Sequence, residues 1–204
     1  MKNKIIAVIG AGGKTTLIHR LAEEYRRKGA SVLVSTTTHM LVEPDTDLSC
    51  DSFAIMEKIK KTGYCMAGAV CPENSAKMQS LPEQMLHDLM KQVDYALIEA
   101  DGAKHYALKY PSEQEPGIPK GTTDVILVLG SWDLGKPCKD VVFRFEHMTS
   151  ALGISGDMKA DKQMLQWIWQ AYEEKLKNMD YQGHFHVLLS EKTDQGLMFH
   201  TLEE

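Results

Sequence analysis

Short unbroken apolar runs alternate with amphipathic stretches along most of the chain. Ile5-Ile6-Ala7-Val8-Ile9, Ser31-Val32-Leu33-Val34-Ser35, Tyr95-Ala96-Leu97-Ile98 and the run within 123–130 are each too short for a helix. Rich in β-branched and aliphatic side chains, they read as strands buried on both faces. Between the first two, residues 15–28 set Leu17, Ile18, Leu21 and Tyr25 at helical spacing, with Glu23, Glu24, Arg26 and Arg27 largely on the outer side and Gly29 as a C-cap. Strand, helix and strand make a βαβ unit, whose right-handed crossover brings both strand ends to one edge. Further helices are predicted over 53–61, from the capping signal Ser80-Leu81-Pro82-Glu83 to Gln92, and over 157–179. The last carries Met164, Leu165, Trp167, Ile168, Trp169 and Tyr172, more apolar surface than one face needs, which suggests partner contact. Strands are predicted over 64–70, weakened by Gly68, and over 184–189; residues 41–52 read as a loop, 71–75 and 131–137 as turns. This alternation predicts an α/β fold: one domain over 1–204, a three-layer sandwich on a mainly parallel sheet.

Composition narrows the function classes. With 204 residues, 43% of them hydrophobic, the chain is long enough for one buried core. A net charge of −5 argues against nucleic-acid or anionic-membrane partners, which require clustered basic surface. No stretch approaches the roughly 20 apolar residues of a membrane span. Met1-Lys2-Asn3-Lys4 and the apolar run after it imitate a signal peptide, but Lys14 interrupts the run and no cleavage site follows. The expectation is a cytoplasmic protein. Cys50, Cys65, Cys71 and Cys138 form no C-x-x-C pair or zinc spacing and read as idle thiols, and the twelve methionines read as core filling.

The first chemical landmark is Gly10-Ala11-Gly12-Gly13-Lys14-Thr15-Thr16, lying between the first strand and the first helix. Glycines let backbone N–H groups close around phosphate oxygens, and a helix start adds unpaired N–H groups and its positive dipole end. Lys14 is the candidate point charge for the outer phosphates, and Thr15 the hydroxyl for Mg²⁺. The pattern G-x-x-x-x-G-K-[ST] asks for glycine at position 8, where this chain has Val8, so a tighter loop or a differently shaped entry is expected.

The second landmark is the strand ending Glu99-Ala100-Asp101-Gly102, whose two carboxylates at i and i+2 point to one side. Ligands gather at the carboxyl ends of parallel strands, so Glu99 and Asp101 are expected beside Lys14, holding Mg²⁺ or orienting a water, with Gly102 as a hinge. Thr36-Thr37-Thr38-His39 arrives at the same edge; one of these threonines, taken as Thr37, is a further candidate metal contact, with plain strand extension as the alternative. Residues 104–120, with three prolines, read as a lid or specificity loop. His184 and His186 share a strand face but lack nearby acids or cysteines and read as edge residues. Ser190-Glu191-Lys192-Thr193-Asp194 faintly resembles the N/T-K-x-D base-reading motif of GTP-binding proteins, making Asp194 a candidate base contact. Guanine and adenine both stay open, and no closing helix and strand fit comfortably in the ten residues that follow.

Taken together, the chain resembles the YqeC family, itself similar to P-loop NTPases of the group containing metal-enzyme maturation GTPases. The residues carrying the resemblance are Gly10 to Thr16, Ser35 to His39, Ile98 to Lys104, Leu108-Lys109, Pro111, Glu113, Glu115-Pro116, Ile118-Pro119, Gly135-Lys136-Pro137 and Phe143-Arg144-Phe145-Glu146. It implies an accessory role in maturing selenium-dependent molybdenum hydroxylases, by nucleotide-driven handling of a cofactor or selenium. The client would be the hydroxylase or a cofactor-maturation protein, and NTPases of this group commonly form homodimers. Three functions follow: a Mg²⁺-dependent ATPase or GTPase with Lys14, Glu99 and Asp101 as catalytic residues, a small-molecule kinase with its acceptor under 104–120, or a non-hydrolysing nucleotide-gated binding module.

Overall fold

A computed structural model describes residues 3–202. In chain order the elements are β1 (Lys4–Gly10), α1 (Lys14–Arg27), β2 (Val32–Thr36), β3 (His39–Leu41), α2 (Ser52–Thr62), β4 (Tyr64–Met66), β5 (Ala69–Val70), β6 (Lys77–Gln79), α3 (Glu83–Met90) and β7 (Tyr95–Glu99). There follow β8 (Leu108–Lys109), β9 (Asp124–Gly130), α4 (Cys138–Val141), β10 (Val142–Phe143), α5 (Phe145–Leu152), α6 (Lys162–Asn178), β11 (His184–Thr193) and β12 (Gly196–Thr201). The fold is α/β, with a mixed, mostly parallel seven-stranded sheet in the order β12-β11-β9-β1-β7-β2-β4, flanked by helices. β7 pairs in parallel with β1 and with β2, bringing Val8 and Thr36 into register with Glu99, while β11 and β12 are antiparallel. Among the described residues no helix is long and apolar enough to cross a membrane.

The chain divides into two compact units. The first comprises Met1–Val8, Thr15–Gly102 and Gly117–Asp124. Its core is the reason its strands read as unbroken apolar runs: Leu33, Ala96 and Ile98 of the sheet pack with Ile55 and Ile59 of α2 and Leu89 of α3. Burying each of the larger side chains stabilises by roughly 1.5–3 kcal/mol. Asp51 caps α2 by accepting from the N–H groups of Phe53 and Ala54 at 2.9 and 3.2 Å, and Gly63 ends the helix at φ 74°. The strand expected over 64–70 is broken instead. β4 joins the large sheet, and the chain then turns at Gly68 to form β5 of a small sheet, β3-β6-β5. A side chain at Gly68 would lie 2.6 Å from the Met78 sulfur of β6. β3 shares only Leu41 with the segment that reads as a loop, and β6 follows the turn read at 71–75; neither is predicted, because three-residue strands leave too short a period to recognise.

The second unit comprises Ile9–Lys14, Ala103–Pro116 and Val125–Glu204. α6 begins five residues later than predicted, where the Asp161 side chain accepts from the Met164 N–H at 3.0 Å. Met164, Leu165, Ile168, Tyr172 and Leu176 form its buried face, while Trp167 and Trp169 are half-buried. The late strand runs on to Thr193, and the chain after it, too short for a closing helix and strand, returns as the single strand β12. Within the segment read as a lid or specificity loop, the stretch after Ala103 is pinned by a short strand. Leu108 and Lys109 pair with Val142 and Phe143 as a short parallel ribbon, and Ala107, Leu108 and Lys109 are buried.

Candidate functional site

The glycine-rich connection lies in the second unit. β1 runs through Gly10 and α1 starts at Lys14, leaving only Ala11, Gly12 and Gly13 between them. Val8, fully buried, belongs to the strand, so the loop is indeed short. The Ala11 N–H donates to the Val128 carbonyl at 2.9 Å. Gly12 admits no substituent, since a Cβ there would lie 2.6 Å from Gly130 N and 2.7 Å from the Ala107 carbonyl oxygen. Gly13 sits at φ 113°, where a Cβ would meet Leu197 Cδ1 of β12 at 2.6 Å. Lys14 is 5% exposed, and its ammonium donates to the Gly10 carbonyl at 2.8 Å, curling back over the loop.

The acid end of β7 lies in the first unit. Thr15 Oγ1 donates to Glu99 Oε2 at 2.8 Å, and Glu99 is 7% exposed. Two bonds fix the Glu99 backbone, because its carbonyl accepts from Thr36 Oγ1 at 2.8 Å and from the Thr37 N–H at 3.1 Å. Thr36, half of an open choice in the sequence, is therefore a buried strut. The Thr37 hydroxyl donates to the Gly117 carbonyl at 2.8 Å. Asp101 is fully buried two residues after Glu99. Thr15 and Glu99 together offer hard oxygen donors, the set that suits Mg²⁺ retaining most of its waters. Among the described residues no group of three or more His, Cys, Asp or Glu is placed to hold a metal by itself.

A cavity of about 680 Å³ opens in the first unit, with Leu86 and Met90 of α3 and Ile118 among its apolar walls and Thr37, His87 and Lys120 among its polar ones. Its size suits a ligand of nucleoside dimensions or larger. Nothing in the helical pattern of 83–90 announced it, since the cavity needs the 117–120 segment folded opposite.

The late motif is dispersed by the hairpin. Asp194 is exposed in the two-residue turn between β11 and β12, while Ser190, fully buried, donates its hydroxyl to the Gly12 carbonyl of the loop. The Ser131 N–H and hydroxyl both donate to the Ser190 carbonyl, at 2.9 and 3.1 Å. Ser190 thus supports the glycine-rich loop from β11, a role that no local pattern could have revealed. Burial pushes the thiols of Cys138 and Cys65 up, the latter to about 11, so both stay protonated at neutral pH.

The family model described as "YqeC protein" matches residues 6–146. A relative from Escherichia coli (strain K12), named "Uncharacterized protein YqeC", is 34% identical over 161 residues, covering 75% of this chain. The match takes in 62% of that relative's own length. No solved structure matches the chain.

Proposed function

The chain belongs to the YqeC family, and from that premise we propose that it is a Mg²⁺-dependent ATPase or GTPase serving as an accessory factor in the maturation of a selenium-dependent molybdenum hydroxylase. The observation that carries the nucleotide reading is the Thr15–Glu99 hydrogen bond at 2.8 Å, at the start of the helix that follows three glycines. A hydroxyl and a carboxylate held together there are the donors that would hold Mg²⁺, whose charge neutralises phosphate oxygens when bound. The loop N–H groups and the Lys14 ammonium take the phosphate charge, Lys14 leaving the Gly10 carbonyl to do so. Asp101, two residues beyond Glu99, orients the attacking water.

Turnover of ATP and GTP, with and without Mg²⁺, tests this reading. Mg²⁺-dependent release of phosphate that disappears in Lys14→Ala is expected, and unchanged turnover in that variant overturns it. The 680 Å³ cavity supports a second reading, in which the phosphoryl group passes to a small-molecule acceptor bound beside Thr37. Nucleoside diphosphate release would then depend on the acceptor. Steady hydrolysis in buffer alone excludes that reading.

A further inference from the structure

Five side chains that carry the family resemblance, and have no role in the reading above, converge within the second unit: Lys104, Lys109, Glu115, Phe143 and Arg144. The β8–β10 register sets Lys109 opposite Phe143. Lys109 Nζ lies 2.6 Å and Arg144 Nη1 2.5 Å from the same oxygen, Glu115 Oε2. Around the Phe143 ring centroid stand Arg144 at 5.2 Å, Lys104 at 5.4 Å and Lys109 at 5.8 Å. Tyr106, 37% exposed, tilts its ring against Phe143 at 5.6 Å.

The cations are not equivalent. Lys109 is fully buried against Glu115, whereas Lys104 is exposed and makes no ion pair among the described residues. Arg144 is partly exposed and shares its carboxylate oxygen with Lys109. Its guanidinium does no capping work: Arg144 is the N-cap of α5 with no side-chain cap bond, and a cation there opposes the helix dipole. Backbone strain gathers here as well. Of the five described non-glycine residues at positive φ, three are Lys104, His105 and Arg144, at 44°, 65° and 63°. An aromatic ring attracts cations but neutralises none of their charge.

We infer that Lys104 and Arg144, walled by Tyr106 and Phe143, form a second anion site, one that takes the phosphate group of a small ligand. Arg144 offers it a planar fork and Lys104 a mobile point charge. Glu115 is the site's internal competitor: an incoming phosphate takes Arg144 and leaves Glu115 with Lys109. Inorganic phosphate and an organic phosphate share this chemistry, and the aromatic wall favours a ligand with a flat apolar body. The site stands whether or not the glycine-rich loop hydrolyses nucleotide.

Calorimetric titration of the full chain with inorganic phosphate, and separately with phenyl phosphate, tests the proposal in the wild type and in Lys14→Ala. Lys14→Ala is expected to keep one phosphate site per chain, and the tighter of the two probes names the source of the phosphate. Arg144→Gln should weaken that binding by roughly tenfold or more, as expected for a lost charge-assisted bond. Lys104→Gln, an exposed change with no bearing on folding, should weaken it severalfold. Glu115→Gln keeps an acceptor for Lys109 but removes the competing charge, so it should strengthen binding, an outcome a purely structural ion pair does not produce. No binding of either probe by the wild type overturns the proposal. So does phosphate binding to Lys14→Ala that is indifferent to Lys104→Gln, or affinity that Glu115→Gln leaves unchanged.

Discussion

Glu99 and Glu115 are both largely withdrawn from water, one in each unit, and each is held by different chemistry. The Glu99 carboxylate accepts from the Thr15 hydroxyl, and its backbone carbonyl accepts from the Thr36 hydroxyl and the Thr37 N–H, all on or next to regular elements. The Glu115 carboxylate meets the cations Lys109 and Arg144, which reach it from a two-residue strand and from the turn before α5, with the Ser112 hydroxyl 3.5 Å from the same oxygen. A hydroxyl donor orients a carboxylate without itself cancelling charge. A cation cancels the charge, which suits a clamp, and makes the clamp sensitive to any competing anion. Ion pairs taken from water are costly to form and costlier to break by halves.

Experiments that break each side should differ in kind. The largest effect is expected on chemistry: Lys14→Ala should reduce nucleotide turnover by about 10²–10³-fold, the range for losing one preorganised electrostatic contact, with thermal stability nearly unchanged. A large fall in Tm instead would make the loop a structural element. Next, Lys109→Met removes a buried cation but leaves Glu115 paired with Arg144, so it should destabilise by less than the roughly 3–5 kcal/mol of a buried charge left unpaired, read in urea unfolding. Lys139→Ala, which breaks the exposed Lys139–Asp157 pair, should leave the midpoint where it was. Equal effects of the two would mean that burial of Lys109 contributes nothing.

Ser190→Ala deletes the buried hydroxyl that donates to the Gly12 carbonyl, and should cost about 1–2 kcal/mol. Nucleotide affinity should fall with it, and Ser190→Thr should restore part of both. Smallest is the pH response of the first unit's core. Burial raises the Cys65 thiol to about 11, while an unfolded thiol ionises near 8.5. Its contribution to stability is present below about pH 8.5 and lost as pH rises towards 11. Cys65→Ala should therefore show a flatter decline over that window, and wild-type Cys65 should resist alkylation at pH 8 while the half-buried Cys50 reacts. Parallel declines would show the thiol to be no more protected than in the unfolded chain.

The two regions were not equally legible. The βαβ unit, β7 and β9 could be read from apolar runs, because a strand buried on both faces leaves no alternation to misinterpret. Glu99 was visible as an acid closing such a run. Lys109, Glu115 and Arg144 were visible only as separate members of a resemblance, six and 29 residues apart along the chain, and charge type alone says nothing of who meets whom. In the sequence Ser190 stands beside Asp194 in a stretch faintly resembling a base-reading motif, while the hairpin buries Ser190 against the loop and exposes Asp194 in a turn.

The α/β alternation, the glycine-rich connection and the family follow from the chain's order of residues alone, since these rest on local periodicity, backbone freedom and runs of residues contiguous in the chain. Only the tertiary structure decided the pairing of Thr15 with Glu99, the shared carboxylate of Glu115, the support of Gly12 by Ser190 and the cavity beside Thr37. Each of these depends on groups distant in sequence reaching within about 3 Å or enclosing a common space, and such proximity is fixed by sheet order and packing.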